Sequence, residues 1–295
     1  MRVVVTGGTG FIGRAALVPL LATGAEVHLL GRSGAAVAGC QSHAIDLLGD
    51  DPAPLLAAIA PSHLLHFAWF AEPGKFWHAP QNLDWLAASL RLARGFAAAG
   101  GTRLVGTGSC AEYDWREPLL DEATTALAPA TLYGTTKAAL FQSLMAAGPV
   151  LGLSIGWGRI FFPYGRGERS GRLLPDVIDA VLGHRRVATS DGRQTRDFIH
   201  VEDAAAAMTT LLASDMTGAV NIASGDCLPL RDIIGTAAAL AGDATLIDWG
   251  TRPRQPGEPE VMAAATARLH GTLGFRPRWT LAAGLADMVA ARRLP

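Results

Sequence analysis

The stretch Thr6-Gly7-Gly8-Thr9-Gly10-Phe11-Ile12-Gly13 follows a β-branched run, Arg2–Thr6, and opens a run of helical periodicity, Phe11–Ala22. Gly7, Gly10 and Gly13 have the spacing G-x-x-G-x-x-G, a relative of the G-x-G-x-x-G turn that joins a strand to a helix in dinucleotide sites. Glycine permits the tight turn and lets the backbone approach a pyrophosphate. The helix N-terminus then presents free N–H groups and a positive dipole end to the anion. The stretch predicts a phosphate cradle formed by Gly7, Gly10, Phe11, Ile12 and Gly13.

Outward from this turn, strand-like and helix-like runs alternate. Glu26–Leu30, Leu64–Ala68, Arg103–Gly106 and Leu153–Gly158 read as strands; Pro54–Ile59, Gln81–Ala99 and Thr131–Ala147 read as helices. This rhythm implies a parallel sheet covered on both faces, with ligands outside the carboxyl ends of its strands. After Arg159 the rhythm breaks. Phe162–Arg172 and Trp249–Pro259 read as loops, Leu173–Leu182, Glu202–Ala213 and Leu281–Ala291 as helices, Arg196–Val201 and Ala219–Ala223 as strands. The fold class expected is α/β, a Rossmann-type doubly wound parallel sheet with a smaller C-terminal α/β substrate lobe. Residues 1–160 with about 196–223 would bind the dinucleotide, and 161–195 with 224–295 the substrate.

The end of the second strand is placed to read the cofactor's ribose. An acid there suits the 2′-hydroxyl of NAD, and a base the 2′-phosphate of NADP. Here the strand runs into Gly31-Arg32-Ser33, and a guanidinium can grip a phosphate with two donors. Arg32 therefore favours NADP(H), with NAD(H) as the alternative. Asp46 follows a short apolar run and is a candidate for the adenine end or for a helix N-cap.

Tyr133 and Lys137, four apart on a predicted helix, share one face. A free phenol titrates at about 10. Bringing it to about 7 takes about 4 kcal/mol, which one ammonium at about 4 Å supplies at an effective dielectric of about 20. The pair can thus move a proton. Thr107 and Ser109, after the strand at 103–106, each offer a hydroxyl to polarise a carbonyl oxygen.

Composition narrows the partners. Of the 295 residues 49% are hydrophobic, enough for a large core, and the net charge of −1 with no basic block argues against nucleic acid. The three cysteines are far apart and form no CxxC, which argues against a disulfide framework or a metal site. The chain opens on a strand-like run, and no apolar stretch reaches a membrane-spanning length. A cytoplasmic protein, not bound to membrane, is expected.

Taken together, the residues resemble the extended branch of the short-chain dehydrogenase/reductase superfamily, in the NAD(P)-dependent epimerase/dehydratase group. The landmarks are Thr6–Gly13, His66-Phe67-Ala68, Asn82, Ser109 with Tyr113, Tyr133 with Lys137, Phe162-Pro163-Tyr164-Gly165, Arg196–Val201 with Asp203, and Arg252–Glu258. The resemblance implies a homodimer and a nucleotide-sugar substrate. It makes Ser109, four places before Tyr113, the catalytic hydroxyl, Tyr133 the acid/base, and Lys137 its partner and a ligand of the nicotinamide ribose. It adds Leu47, Phe67, Ala68 and Trp69 to the cofactor's contacts. Toward the substrate it points to Cys110, Arg172 and Arg196, with Arg254 or Arg252 matching a second arginine. Read from its neighbours alone, Arg196 is as well suited to an ion pair with Asp197 or Glu202.

Two departures narrow the chemistry. Sugar dehydratases of this group carry an Asp-Glu pair where this chain has Cys110 and Ala111, and neither serves as a general acid or base at neutral pH. Reduction of a keto-sugar by NADPH, in particular a 4-keto-6-deoxy-sugar, is the leading expectation. A 4-epimerase with tightly held NAD is the alternative, and a non-catalytic dinucleotide sensor a third. Glu112 beside Tyr113 is unusual for the group and is expected either to approach the substrate or to face solvent. The insert Trp69–Trp77 is expected over the active site or in the core.

Overall fold

The computed structural model describes residues 1–254 and 257–293. Seven parallel strands form the main sheet: β1 (Arg2–Thr6), β2 (Glu26–Gly31), β3 (Cys40–Ala44), β4 (His63–His66), β5 (Arg103–Ser109), β7 (Ser154–Ile160) and β11 (Gly218–Ile222). Their spatial order is β11-β7-β5-β4-β1-β2-β3. Strand order thus reverses at β1, so the loops after β1 and β4 part to opposite sides and leave a crevice between them. The doubly wound α/β fold expected from the sequence is the fold observed.

Both faces of the sheet are covered. On one, α1 (Phe11–Ala22) and α6 (Val201–Ala213) pack Ala16, Leu17, Leu20, Ala204, Met208 and Leu211 onto Val3, Val5, Val105 and Val220. On the other, α2 (Ala53–Ile59), α3 (Gln81–Ala98) and α4 (Leu132–Leu151) bring Leu56, Leu92, Phe96, Leu140 and Leu144 against Val4, Leu64, Leu104 and Trp157. The central strands read as nearly unbroken apolar runs because both their faces are buried.

A second sheet joins β12 (Cys227–Pro229), β10 (Thr195–His200), β14 (Val261–Ala264) and β6 (Leu119–Leu120), with β8 (Phe162–Tyr164) also paired to β10. The helices α5 (Leu173–Leu182), α7 (Leu230–Ala241) and α8 (Leu281–Arg293) bury Leu174, Ile178, Ile233, Leu285 and Met288 around Tyr164. Strands β9 (Val187–Ala188) and β13 (Ile247–Asp248) form a small parallel pair.

Several boundaries differ from the sequence reading, for physical reasons. Strand β3 lacks an apolar pattern, Cys-Gln-Ser-His-Ala, because it is the sheet's edge and pairs only with β2. The helix expected over Thr131–Ala147 runs on past Pro149 to Leu151 and stops at Gly152, whose φ is 67°. Part of the expected loop Phe162–Arg172 is strand β8, recruited by pairing with β10. Within the other expected loop, Trp249–Pro259, Gln255 and Pro256 lie outside the described residues.

Buried Arg103, at the start of β5, ties three elements. Its guanidinium donates to Ser154 Oγ at 2.8 Å and to the carbonyls of Leu211 and Met216 at 2.6 and 2.8 Å. It thereby satisfies acceptors at the negative end of α6. Arg103→Met is expected to lower stability by about 2–3 kcal/mol, read as a fall in the urea midpoint at unchanged m-value.

Candidate active site

The crevice is built on a close approach. Gly7 has φ 69°, and a Cβ placed there would stand 2.7 Å from Ala68 N and 2.9 Å from the Phe67 carbonyl carbon. A Cβ at Gly13 would run into the Gly7 carbonyl oxygen. Helix α1 starts from extended Gly10 with no side-chain cap. Its first intrahelical bond is Arg14 N–H to Gly10 O at 2.9 Å, so the N–H groups of Phe11, Ile12 and Gly13 have no helical acceptor. These donors at a dipole's positive end, beside a backbone no side chain can enter, fit a dinucleotide phosphate.

The loop after β4 is fixed by a chain of hydrogen bonds through a buried imidazole. Ser89 Oγ donates to Trp85 O at 2.6 Å, so it accepts from His66 Nε2 at 2.8 Å. His66 Nδ1 then accepts from Thr6 Oγ1 at 2.6 Å, and Thr6 Oγ1 accepts from Ala68 N at 3.3 Å. This relay needs a neutral ring, and burial, aided by the Lys137 charge, pulls His66 down to about 3.

At the far side of the cradle, Arg32 follows β2 directly and is exposed. Asp46 caps no helix: its Oδ1 accepts from Leu48 N at 3.1 Å within a turn, and buried Leu47 gives its carbonyl to Arg91 at 2.6 Å.

Strand β5 and helix α4 bring the three candidate catalytic groups together. Thr107 Oγ1 donates to His66 O at 2.9 Å and is thereby taken up in the sheet, whereas Ser109 Oγ accepts from Ala111 N at 3.2 Å and its hydroxyl acts on the Tyr133 phenol, pulling it downward. The two hydroxyls, equivalent by spacing, thus take different partners. Helix α4 begins where Thr131 Oγ1 accepts from Gly134 N at 3.1 Å, which sets Tyr133 in the first turn and Lys137 one turn on.

Lys137 departs from the sequence expectation. Its Nζ donates to Thr107 O at 2.8 Å and lies 3.8 Å above the Trp69 ring, while the Tyr133 ring centroid is 5.9 Å away. Burial pulls the ammonium down to about 7, with the Glu112 charge opposing. Burial likewise pushes the Tyr133 phenol up, with Glu112 and Cys110 adding to the rise and Ser109 and Arg172 pulling against it. In the protein alone, then, desolvation dominates both groups, and the simple two-charge arithmetic does not hold.

The Trp69–Trp77 insert is neither plain core nor a loose cover. Trp69 Nε1 donates to Asn82 Oδ1 at 2.8 Å, and the Asn82 amide donates to Phe76 O and Ala79 O at 2.7 and 2.9 Å. Tyr133 N donates to Trp77 O at 3.0 Å. Phe76 and Trp77 meet the Tyr133 ring edge-on, with centroids 5.0 and 5.9 Å away, and Trp115 stands 6.0 Å beyond Trp77. An aromatic wall therefore flanks the phenol. Arg172, at the N-cap of α5, lies 5.4 Å over Phe76.

Cys110 and Ala111 are buried in a short 3-10 turn, and burial pushes the thiol up to about 12. It is no acid or base at neutral pH. Glu112 overturns both alternatives offered by the sequence: it faces neither substrate nor solvent but is fully buried against Arg159, 2.8 Å away. Arg196 does make an ion pair, with an unforeseen partner. It binds Glu258 at 2.9 Å, while Asp197 accepts from Ser224 and Gly225 and Glu202 accepts from Trp279. Arg254 is held by Asp191 at 2.8 Å and by Glu260. Among the described residues, no cluster of three His, Cys, Asp or Glu could hold a metal, and no helix is long and apolar enough to cross a membrane.

This sheet order, with Tyr133 and Lys137 on the helix that flanks β5, defines an extended short-chain dehydrogenase, a class of dinucleotide-dependent enzymes. Within it, the chain belongs to the NAD dependent epimerase/dehydratase family, whose sequence profile matches residues 3–223. It is 26% identical to a UDP-glucose 4-epimerase of Corynebacterium glutamicum over 95% of this chain and 92% of that one. It is 29% identical to a dTDP-6-deoxy-L-talose 4-dehydrogenase (NAD(P)(+)) of Kitasatospora kifunensis, covering 99% and 95% of the two. The UDP-glucose 4-epimerase of Thermus thermophilus, solved in complex with NAD, superposes with a TM-score of 0.88 at 26% identity, covering 100% and 99%.

Because the folded chain holds Lys137 near 7 and the unfolded chain near 10.5, the unfolded state binds the extra proton between those values, and stability rises with pH across them. Lys137→Met, which keeps the packing on Trp69, is expected to abolish activity. It should also raise stability at pH 7 by about 1–2 kcal/mol, with the gain shrinking toward pH 10 in urea titrations.

Proposed function

We propose that the chain is a reductase of a nucleotide-linked 4-keto-6-deoxy-sugar that prefers NADP(H). The observation that carries this reading is Tyr133 set against the aromatic wall with the Ser109 hydroxyl acting on its phenol. Ser109 orients the carbonyl oxygen, and Tyr133 donates the proton that turns it into a hydroxyl. A dinucleotide held by the cradle would supply the hydride to the carbonyl carbon. Lys137, one turn along α4 from Tyr133, would hold the cofactor's ribose and steady the phenolate left on Tyr133. With Cys110 and Ala111 in place of an acid pair, the residues around the sugar have no means to eliminate water.

The wall bears on the choice of sugar. The Trp115 Nε1 donates to Cys110 O at 3.1 Å and is thus occupied. A 6-hydroxyl turned toward Phe76 and Trp115 would be left without a partner, whereas a methyl would pack there. The same crowding disfavours turning a keto-sugar over in place, which supports a reductase above an epimerase. The relative from Kitasatospora kifunensis, a 4-dehydrogenase of a 6-deoxy-sugar, supports the same direction. Arg196 with Arg172 and Arg254 would serve the nucleotide-sugar from the smaller lobe, and Cys110 from the turn after β5. Exposed Leu83 on α3 and Val150 on α4 support a homodimer through these neighbouring helices.

The several 4-epimerases among the relatives favour a second reading, a nucleotide-sugar 4-epimerase. Purified protein mixed with NADPH and a panel of nucleotide-linked 4-keto-6-deoxy-sugars should show loss of NADPH absorbance, and Tyr133→Phe should end turnover while sparing cofactor binding. NADPH binding without turnover of any sugar would sink the reductase in favour of a sensor. Co-purified NAD with sugar epimers interconverting and no net oxidation would establish the epimerase.

Cofactor choice is tested separately. Arg32→Ser is expected to raise KM for NADPH roughly tenfold, about 1.4 kcal/mol of phosphate binding, with the KM for NADH little changed. Equal KM values before and after the substitution would remove Arg32 from the phosphate.

A further inference from the structure

Glu112 has no part in the reaction as described, yet it is the most tightly held charge near the site. One of its carboxylate oxygens accepts from Ser109 N at 2.8 Å and from Trp157 Nε1 at 3.0 Å. The other accepts from Arg159 Nε at 2.8 Å and from the same indole at 3.2 Å. Arg159 passes the network on: its Nη1 donates to Tyr113 Oη at 2.9 Å, which donates to Asn221 Oδ1 at 2.7 Å. Asn221 in turn donates to the carbonyls of Leu120 and Ala265. The chain of bonds runs from the end of β5 through β7 and β11 into the second sheet.

Stability alone is a weak reason for such a pair, since an apolar pair of similar volume commonly does as well in a core. Two things distinguish the carboxylate from an apolar side chain. It closes a reciprocal cap on the turn that carries Ser109 and Cys110. It also brings its ion pair with Arg159 to the end of β5, where Glu112 accepts from Ser109 N two residues beyond the Thr107 carbonyl that receives the Lys137 ammonium. We propose that Glu112, held by Arg159, is a positioning residue for the reaction: it pins the backbone of Ser109 and sets a fixed negative charge behind the strand that receives the Lys137 ammonium.

The other charges around these groups are few. Lys137 faces Glu112 and the neutral ring of His66. Tyr133 faces Glu112, the Cys110 thiol and Arg172. Glu112 itself faces Arg159 and Tyr113, with Glu122 acting on Tyr113 from beyond and Arg196 on Cys110. Among the described residues, Glu112 is the one group whose charge raises both Tyr133 and Lys137. Removing it lowers both. Reduction needs both protonated, so its alkaline limit moves to lower pH.

The chain has two lysines, exposed Lys75 and buried Lys137, so NMR of protein labelled with 13C-lysine reads Lys137 with Lys75 as internal control. In Glu112→Gln, the Lys137 ε-carbon is expected to titrate about one pH unit or more below the wild type, with Lys75 unmoved. The alkaline limb of kcat/KM for reduction should shift the same way. A folded variant in which Lys137 titrates as in the wild type would overturn the proposal. Should Glu112→Gln fail to fold, the apolar pair Glu112→Leu with Arg159→Met serves in its place. It should fold, lower the Lys137 titration, and cut kcat at least tenfold with KM for NADPH unchanged; wild-type titration and kcat in that pair would equally refute the role. The kinetic arm rests on the reductase reading, but the lysine titration needs no turnover. Inactive wild-type protein would therefore sink the reductase and leave the NMR to decide Glu112.

Discussion

At the centre of the sheet the backbone of Gly7 lies against that of Ala68, with no room for a side chain between them. Much of the site depends on this contact. It brings the ends of β1 and β4 together where strand order reverses, and it aims the free N–H groups of α1 into the crevice. It also fixes where the chain must go after Ala68. Trp69 then lands under Lys137 and the insert folds back, through Asn82, to the backbone of Tyr133. The phosphate cradle and the proton-handling helix, about 120 residues apart in sequence, are thereby held against the same loop.

Desolvation is the second constraint, and it works against the simple picture of a tyrosine activated by its lysine. Lys137 is buried and Tyr133 half-buried, and both are pushed toward neutrality, the phenol upward and the ammonium downward. Enclosure by Phe76, Trp77 and Trp115 also trades room for selectivity.

Much of this was legible in the chain. The glycine spacing, the β-branched run before it and the alternation after it point to the sheet, because buried parallel strands leave near-continuous apolar runs and the turns between them demand particular residues. Ser109, Tyr133 and Lys137 were legible as candidates because proton transfer needs those chemical types at that spacing. The edge strand β3 was not legible, since an edge exposed on one side carries no hydrophobic pattern. Neither was the partner of Arg196: Glu258 lies 62 positions away, and ion pairs at such separation follow from the fold rather than from spacing. Glu112 stood out as unusual, yet its burial was hidden, because only the strand β7 that carries Arg159 and Trp157 gives a carboxylate there a reason to be inside.

By itself, then, the sequence determined the sheet, the cradle and the kind of chemistry, all of which are written in local patterns and in residue type. The tertiary structure alone decided which hydroxyl meets Tyr133, where Lys137 points, and that a buried Glu112–Arg159 pair lies behind Ser109. Those outcomes hinge on the path of one strand and on side chains brought together from distant segments, and on the loss of water when they meet.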